Sequence, residues 1–392
     1  MVAASEAAEG VMAKDAGLKS RVDAAIDQAL AEKRLVGGVV LVARDGETAY
    51  ARAFGYADRE AGLPTELDTV FRYASLSKPI VSAAALKLME EGKLALSDPV
   101  TKFLPDFRPK LPDGSEPAIT VKHLMTHTSG LTYDFMEEPE SAYHGAGISN
   151  GFDRAGVAMN ENLKAIAAWP LKFPPGAAWL YSVATDVLGA VLAEADQASL
   201  PDVVRCTVTG PLGLEHTDFV VKARARLSKP YADAQPEPVL MGERHEVPFA
   251  VSPLVYAPAR AFDDKAFPSG GAGMVGTAPD FLKFLETIRQ GGAPILKAET
   301  VKLLTENQIG EIPVPIVGPG YGFSLGWAIL TDPAATALPT PQSKGTWSWG
   351  GVYGGSWFVD PARRLSVVVL TNTAIEGMIG ATPAAVREAV YG

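Results

Sequence analysis

The chain has 392 residues, 47% of them hydrophobic and 20% charged, which allows one large core or two unequal domains. A formal charge of −10 with no dense Lys/Arg cluster argues against a nucleic-acid partner. No apolar stretch approaches the length of a membrane span, residues 1–17 lack the basic start and apolar run of a signal peptide, and the single Cys206 excludes an intramolecular disulfide, so a cytoplasmic location without membrane association is expected.

Residues 18–35 carry Val22, Ala25, Ile26, Ala29 and Leu30 at helical spacing and predict an amphipathic helix that covers a sheet. The β-branched run 37–43, an Asp45-Gly46 turn and the return 48–55 predict two antiparallel strands. A strand over 69–73 leads into Ser75-Leu76-Ser77-Lys78 and a helix in which Val81, Ala84, Ala85 and Leu88 share a face. Residues 94–104 read as a further helix opened by Ser97-Asp98-Pro99. From about 97 to 265 the pattern is helices and long loops, with helices over 160–168, 185–195 and 201–208; Cys206 falls in the last and is assigned no role. Pro and Gly are frequent over 226–276, an irregular connection expected to line a surface or a site. Strands return at 321–330, 345–349, 356–359 and 365–372, and a helix over 382–390 closes the pattern. The expected fold is therefore an antiparallel sheet flanked by helices, built from 1–96 and 266–392, with a mainly helical domain, 97–265, inserted between them and the active site at the seam.

Ser75 and Lys78, three apart on a first helical turn, share a face, so the Lys amine can reach the Ser hydroxyl. The helix N-terminus adds free N–H groups and positive potential, which suit a nucleophile and an oxyanion. Taken alone, the motif fits a capped helix with a solvated Lys, and the case rests on partners elsewhere. Tyr181-Ser182-Val183 follows Phe173-Pro174-Pro175-Gly176 and precedes a helix near Ala184, so the Tyr181 phenol sits at a turn and can face a cleft. Beside Lys78 it would serve as general base for Ser75 and then as proton donor to the leaving group; otherwise it is a packed Tyr. Trp349-Gly350-Gly351-Val352 lies on a C-terminal strand, where two glycines admit a substrate close to the backbone or mark a bulge.

Two stretches, Gly147-Ile148-Ser149-Asn150-Gly151 and Gly322-Phe323-Ser324-Leu325-Gly326, match the G-x-S-x-G nucleophile elbow. Ser149 lacks a preceding strand, and Ser324 sits inside one with no His after it, so neither is expected to be the nucleophile. His123 and His127 are four apart, but Leu124 stands where a zinc protease carries Glu, and both are expected to be structural. His144, His216 and His245 are scattered, and no phosphate loop or dinucleotide fingerprint is present, so no metal and no cofactor are expected.

In this order, these pieces resemble the serine β-lactamase and penicillin-recognising superfamily, and within it the class C β-lactamase-like family VIII carboxylesterases. The run from Val121 to Leu131 carries the superfamily's H-L-x-T-H-T-S-G-L signature, and Phe71-Arg72-Tyr73-Ala74 precedes the Ser as in that family. The resemblance implies a class C β-lactamase-like fold, with Ser75 as nucleophile, Lys78 and Tyr181 as its activating pair, and the N–H groups of Ser75 and Val352 as the oxyanion hole. Trp349, Gly350 and Gly351 would stand at the substrate in place of Lys-Thr-Gly, as in the esterase branch. It further implies hydrolysis of small, short-chain carboxylic esters through a Ser75 acyl-enzyme. A β-lactamase or D,D-peptidase, an acyltransferase and a sensor that stays acylated are the rival readings.

Overall fold

A computed structural model describes residues 17–392. Of the 1–17 segment read above, only Gly17 falls within the described residues. Eight strands form one antiparallel sheet: β1 (Gly37–Arg44), β2 (Glu47–Asp58), β3 (Leu63–Pro64), β4 (Tyr321–Phe323), β5 (Ala328–Leu330), β6 (Trp347–Gly351), β7 (Gly355–Asp360) and β8 (Leu365–Thr371). Their order is β4-β5-β6-β7-β8-β1-β2-β3, so the two ends of the chain meet where β1 pairs with β8, from Gly38 opposite Thr371 to Arg44 opposite Leu365. The Asp45-Gly46 turn joins β1 and β2 with both residues at positive φ, 57° and 90°, the geometry that matches strand twist in a tight hairpin.

The β1 and β8 sequences are nearly continuous apolar runs because both sheet faces are covered. On one face Val40, Val42, Val367 and Val369 pack with Val22 and Ile26 of helix α1 (Leu18–Ala31) and Val386 and Val390 of a C-terminal helix (Ala381–Tyr391). On the other, Val39, Leu41, Val368 and Leu370 join a larger buried cluster. That cluster includes the helix α2 (Ser77–Glu90), α3 (Ala184–Asp196), α4 (Ala278–Arg289) and residues such as Val203. The C-terminal helix is α5. Among the described residues no helix is long and apolar enough to cross a membrane.

Four sequence expectations change. The strand over 69–73 shrinks to Phe71–Arg72, which pairs with Val275–Gly276. The helix over 94–104 is only a 3-10 turn, Val100–Lys102, because Pro99 is extended and bridges Thr120, while the Val100 N–H bonds to Ile119. The strand over 321–330 is a hairpin, β4 and β5, that turns at Ser324–Trp327. The helix over 201–208 is α-helical at Leu200–Val204 and π-helical at Arg205–Thr209, with Cys206 exposed. Short hairpins, Tyr231–Ala232 with Val239–Leu240 and His245–Val247 with Leu254–Tyr256, also interrupt the expected helical stretch.

Candidate active site

Ser75 lies in a 3-10 turn, Ala74–Leu76, one turn before α2 opens at Ser77. The segment before it is tied down: the Tyr73 N–H donates to the Met274 carbonyl (2.9 Å), and the Tyr73 hydroxyl donates to the Thr277 carbonyl (2.7 Å). Ala74 is held at φ 46°, a left-handed conformation that costs an L-residue on the order of 1–3 kcal/mol and persists only where the surroundings enforce it. Strand β6 presses on this turn. A Cβ on Gly351 would stand 2.3 Å from the Tyr73 carbonyl oxygen, so any larger residue there would push strand and nucleophile apart.

The Lys78 side chain is 1% exposed, and its Nζ donates to three acceptors: Ser75 Oγ (3.1 Å), Tyr133 Oη (3.1 Å) and the Gly271 carbonyl (2.8 Å). These use the full donor capacity of an ammonium. From the other side the Tyr181 hydroxyl donates to Ser75 Oγ (2.6 Å) and accepts from Trp349 Nε1 (3.4 Å). Lys78 Nζ lies 4.6 Å from the Tyr181 ring centre, so the two side chains are linked through Ser75 Oγ and the ring face. Val352 lines the same cavity; the Tyr256 hydroxyl donates to its carbonyl (2.8 Å) and fixes that peptide. Neither the Ser75 nor the Val352 N–H has a backbone partner among the described residues.

The beta-lactamase family model matches residues 22–390 of this chain. Esterase EstB of Burkholderia gladioli is 50% identical over 379 residues, 96% of each chain. The chain belongs to the beta-lactamase family. Within it, the chain falls with the family VIII esterases. A solved structure, EstCE1, a hydrolase with promiscuous acyltransferase activity, superposes with a TM-score of 0.91 at 43% identity, covering 96% of this chain and 99% of that one. A class C beta-lactamase superposes with a TM-score of 0.68 at 21% identity over 95% of both chains, which shows the shared class C beta-lactamase-like fold.

In this beta-lactamase-family chain the 121–131 signature shapes the wall behind Tyr181. His123 accepts from the Thr120 N–H at Nδ1 and closes a capping box on the helix Val121–Met125. His127 is buried against Tyr181, Trp179 and Phe323, its Nδ1 beside Ser182 Oγ (3.2 Å). Burial first, and the Lys78 cation second, push its pKa well below the ordinary 6.5. A depressed folded pKa makes its stabilising contribution whole above about pH 6.5, lost progressively as pH falls from there toward the folded value. Unfolding free energy of the native chain is therefore expected to fall more than that of His127→Asn between about pH 7 and about pH 5. Parallel urea titrations at the two pH values would check this; equal losses would show that His127 is not held neutral.

The two other serines are structural. Ser149 is fully buried and donates to Asp153 Oδ1 (2.5 Å); Ser324, in the β4–β5 turn, donates to the Trp327 carbonyl (3.1 Å). The glycines of β6 differ from expectation in what they admit. The space beside Gly350 is shared with Met378, whose Cγ would lie 2.6 Å from a Cβ there, although Gly350 still lines the cavity, and that beside Gly351 is taken by the Tyr73 backbone. Three contributors escaped the sequence reading. Tyr133 follows directly on the signature as a second phenol at Lys78, and burial, reinforced by Tyr181 and Asp186, raises its pKa well above the ordinary value, keeping it neutral. Gly271, from the irregular 226–276 connection, supplies the carbonyl to Lys78. Buried Asp186 accepts from the Ser269 hydroxyl (2.5 Å) and the Gly271 N–H (3.2 Å) and so orients that carbonyl; burial raises its pKa. Only Tyr133 had a sequence signal, its place two residues beyond the signature.

Proposed function

We propose that this carboxylic ester hydrolase acts on small, short-chain esters through an acyl-enzyme on Ser75, with Lys78 and Tyr181 as one activating pair. What carries the reading is a single serine oxygen held at 3.1 Å by a buried Lys and at 2.6 Å by a Tyr, at one end of a largely apolar cavity of about 450 Å³. In the reactive form Tyr181 has released its hydroxyl proton to solvent and the Lys78 ammonium stabilises the phenolate; Ser75 Oγ attacks the ester carbonyl while its own proton passes to that phenolate oxygen. The Ser75 and Val352 N–H groups take the developing oxyanion. Tyr181 returns the proton to the departing alkoxide as the C–O bond breaks, and water repeats the sequence on the acyl-enzyme. Neither a metal nor a cofactor enters these steps.

Lys78→Ala and Tyr181→Phe are each expected to lower kcat/KM for p-nitrophenyl acetate by at least about 10²-fold, the scale of lost acid/base assistance. The two losses should not multiply in the double variant, since both side chains act on one oxygen. Fully multiplying losses would show two independent roles. Acyl transfer to an alcohol is the second reading, favoured by the description of EstCE1 as a hydrolase with promiscuous acyltransferase activity. Added alcohol separates them: free acid as the main product supports hydrolysis, and a new ester supports transfer.

A further inference from the structure

The cavity at Ser75 does not end beside Tyr181 and Trp349. Strand β5 pairs with β6 only at Trp347 and Ser348, so the edge of β6 from Trp349 onward is open. The cavity passes around this edge to the opposite sheet face. There its accessible floor is Ser348 and Gly350 of β6 and Ser356 of β7, in register with the buried Phe358, Val367 and Val369. Its roof is the face of α5 that carries Pro383, Ala384 and Arg387, spaced as neighbours on one side of a helix. Ile316, Leu338 and Ile379, three of the large apolar side chains left exposed on this protein, line the same cavity.

Among the described residues, Arg387 is the only charged one in the cavity lining. Its side chain is 33% exposed, with Nε shut off from solvent and without a hydrogen-bond partner, and its ion pair to Glu388 at 3.6 Å is longer than a hydrogen bond and made to a side chain that is 60% exposed. No hydrogen bond to the guanidinium is formed among the described residues. A partly exposed guanidinium that no side chain or carbonyl hydrogen-bonds, at the edge of a largely apolar cavity shared with a nucleophile, can receive an anion delivered on an apolar stem. Ile316, Leu338 and Ile379 offer the stem exposed apolar surface, while Val367 and Val369 are closed off in the packing beneath α5.

We infer that this arm is a specificity subsite, and that the enzyme prefers esters bearing a carboxylate at the far end of an apolar chain, with Arg387 as the anion receptor. The inference rests on Ser75-dependent ester hydrolysis and adds the substrate's remote group. Such contacts are made equally in ground and transition states, so their effect falls on KM more than on kcat.

Two series test it, since the remote chain can belong to either side of the ester: ω-carboxyalkyl acetates against alkyl acetates of equal length, and mono-p-nitrophenyl esters of adipic, suberic and sebacic acids against the matching fatty acyl esters. In at least one series the wild-type enzyme should show a KM at least about 10-fold lower for the carboxylate member, with a length optimum and a preference that weakens as salt is added. Arg387→Ala should bring the ratio of carboxylate to neutral kcat/KM down to about that of the bare chemical difference, and Arg387→Lys should restore part of it. Both esters are read on the same sample, so a loss of folded protein cancels in the ratio. If wild type turns over both neutral series without favouring either carboxylate series, or if Arg387→Ala keeps the preference, the subsite is refuted while hydrolysis stands. If neutral esters are not hydrolysed at all, the underlying reading fails instead.

Discussion

Ser75→Ala should remove ester turnover, by roughly 10⁴- to 10⁶-fold, the scale seen when a nucleophile acting with its base is deleted. The argument is geometric. Ser75 Oγ is the oxygen on which both Lys78 and Tyr181 converge, and it faces the cavity. Ser149 and Ser324 satisfy the letters of a nucleophile elbow, yet the first spends its hydroxyl on buried Asp153 and the second on the Trp327 carbonyl. Neither lines the cavity at Ser75. Ser149→Ala and Ser324→Ala are therefore expected to keep most turnover in whatever fraction folds. Burst kinetics on p-nitrophenyl esters, with the intact mass of trapped acyl-enzyme, would measure this directly. A folded Ser149→Ala enzyme as inactive as Ser75→Ala, or an acyl group mapped to another residue, would overturn the assignment.

The parts of the fold that could be read in advance are those governed by local chemistry. Val39 to Val42 and Val367 to Val369 are apolar on both faces and can only be central strands, and Asp45-Gly46 fixes the turn between β1 and β2. Ser75, Lys78 and Tyr181 were legible through the superfamily resemblance, since their local spacing alone also fits a capped helix and a packed Tyr, and in the structure Lys78 and Tyr181 both hydrogen-bond the Ser75 oxygen. The misread segments were decided by distant pairing. Residues 94–104 carry helix signals, but the Val100 N–H is claimed by Ile119 and the Lys122 N–H by the Leu96 carbonyl, and these contacts hold the chain extended. The same holds within the site. Nothing local marks Gly271 as the carbonyl that receives Lys78, or Asp186 as the group that aims it, because both gain their role only when the 269–272 turn docks against α2 and α3. Arg387 likewise looks like one more charged helix residue until the sheet beneath it is seen to continue from the nucleophile.

Short-chain esters, acetate to butyrate, are expected to exceed penicillins in kcat/KM by several orders of magnitude. In lactamases of this superfamily a Lys-Thr-Gly lysine helps hold the substrate carboxylate, and an Asn two places after the Tyr bonds its side-chain amide; here those places hold Trp349 and Val183. Trp349 donates its indole N–H to Tyr181 and packs against Phe323 at 5.4 Å, so it offers that region an aromatic wall and no cation. Val183 is buried, apolar and outside the lining of the cavity at Ser75, so it gives a substrate amide no hydrogen bond. The charged residue among the described ones that line the cavity, Arg387, stands on α5 against the opposite face of the sheet from Trp349 and so does not replace that lysine. Leaving-group chemistry adds to the difference: an ester expels an alkoxide and needs less help from Tyr181 than an amine does. A cephalosporin with an acetyl ester sets the two reactions against each other in one molecule. Deacetylation with the lactam ring intact is the expected outcome, and mass spectrometry showing mainly ring-opened product would mean that Trp349 and Val183 do not exclude the lactam.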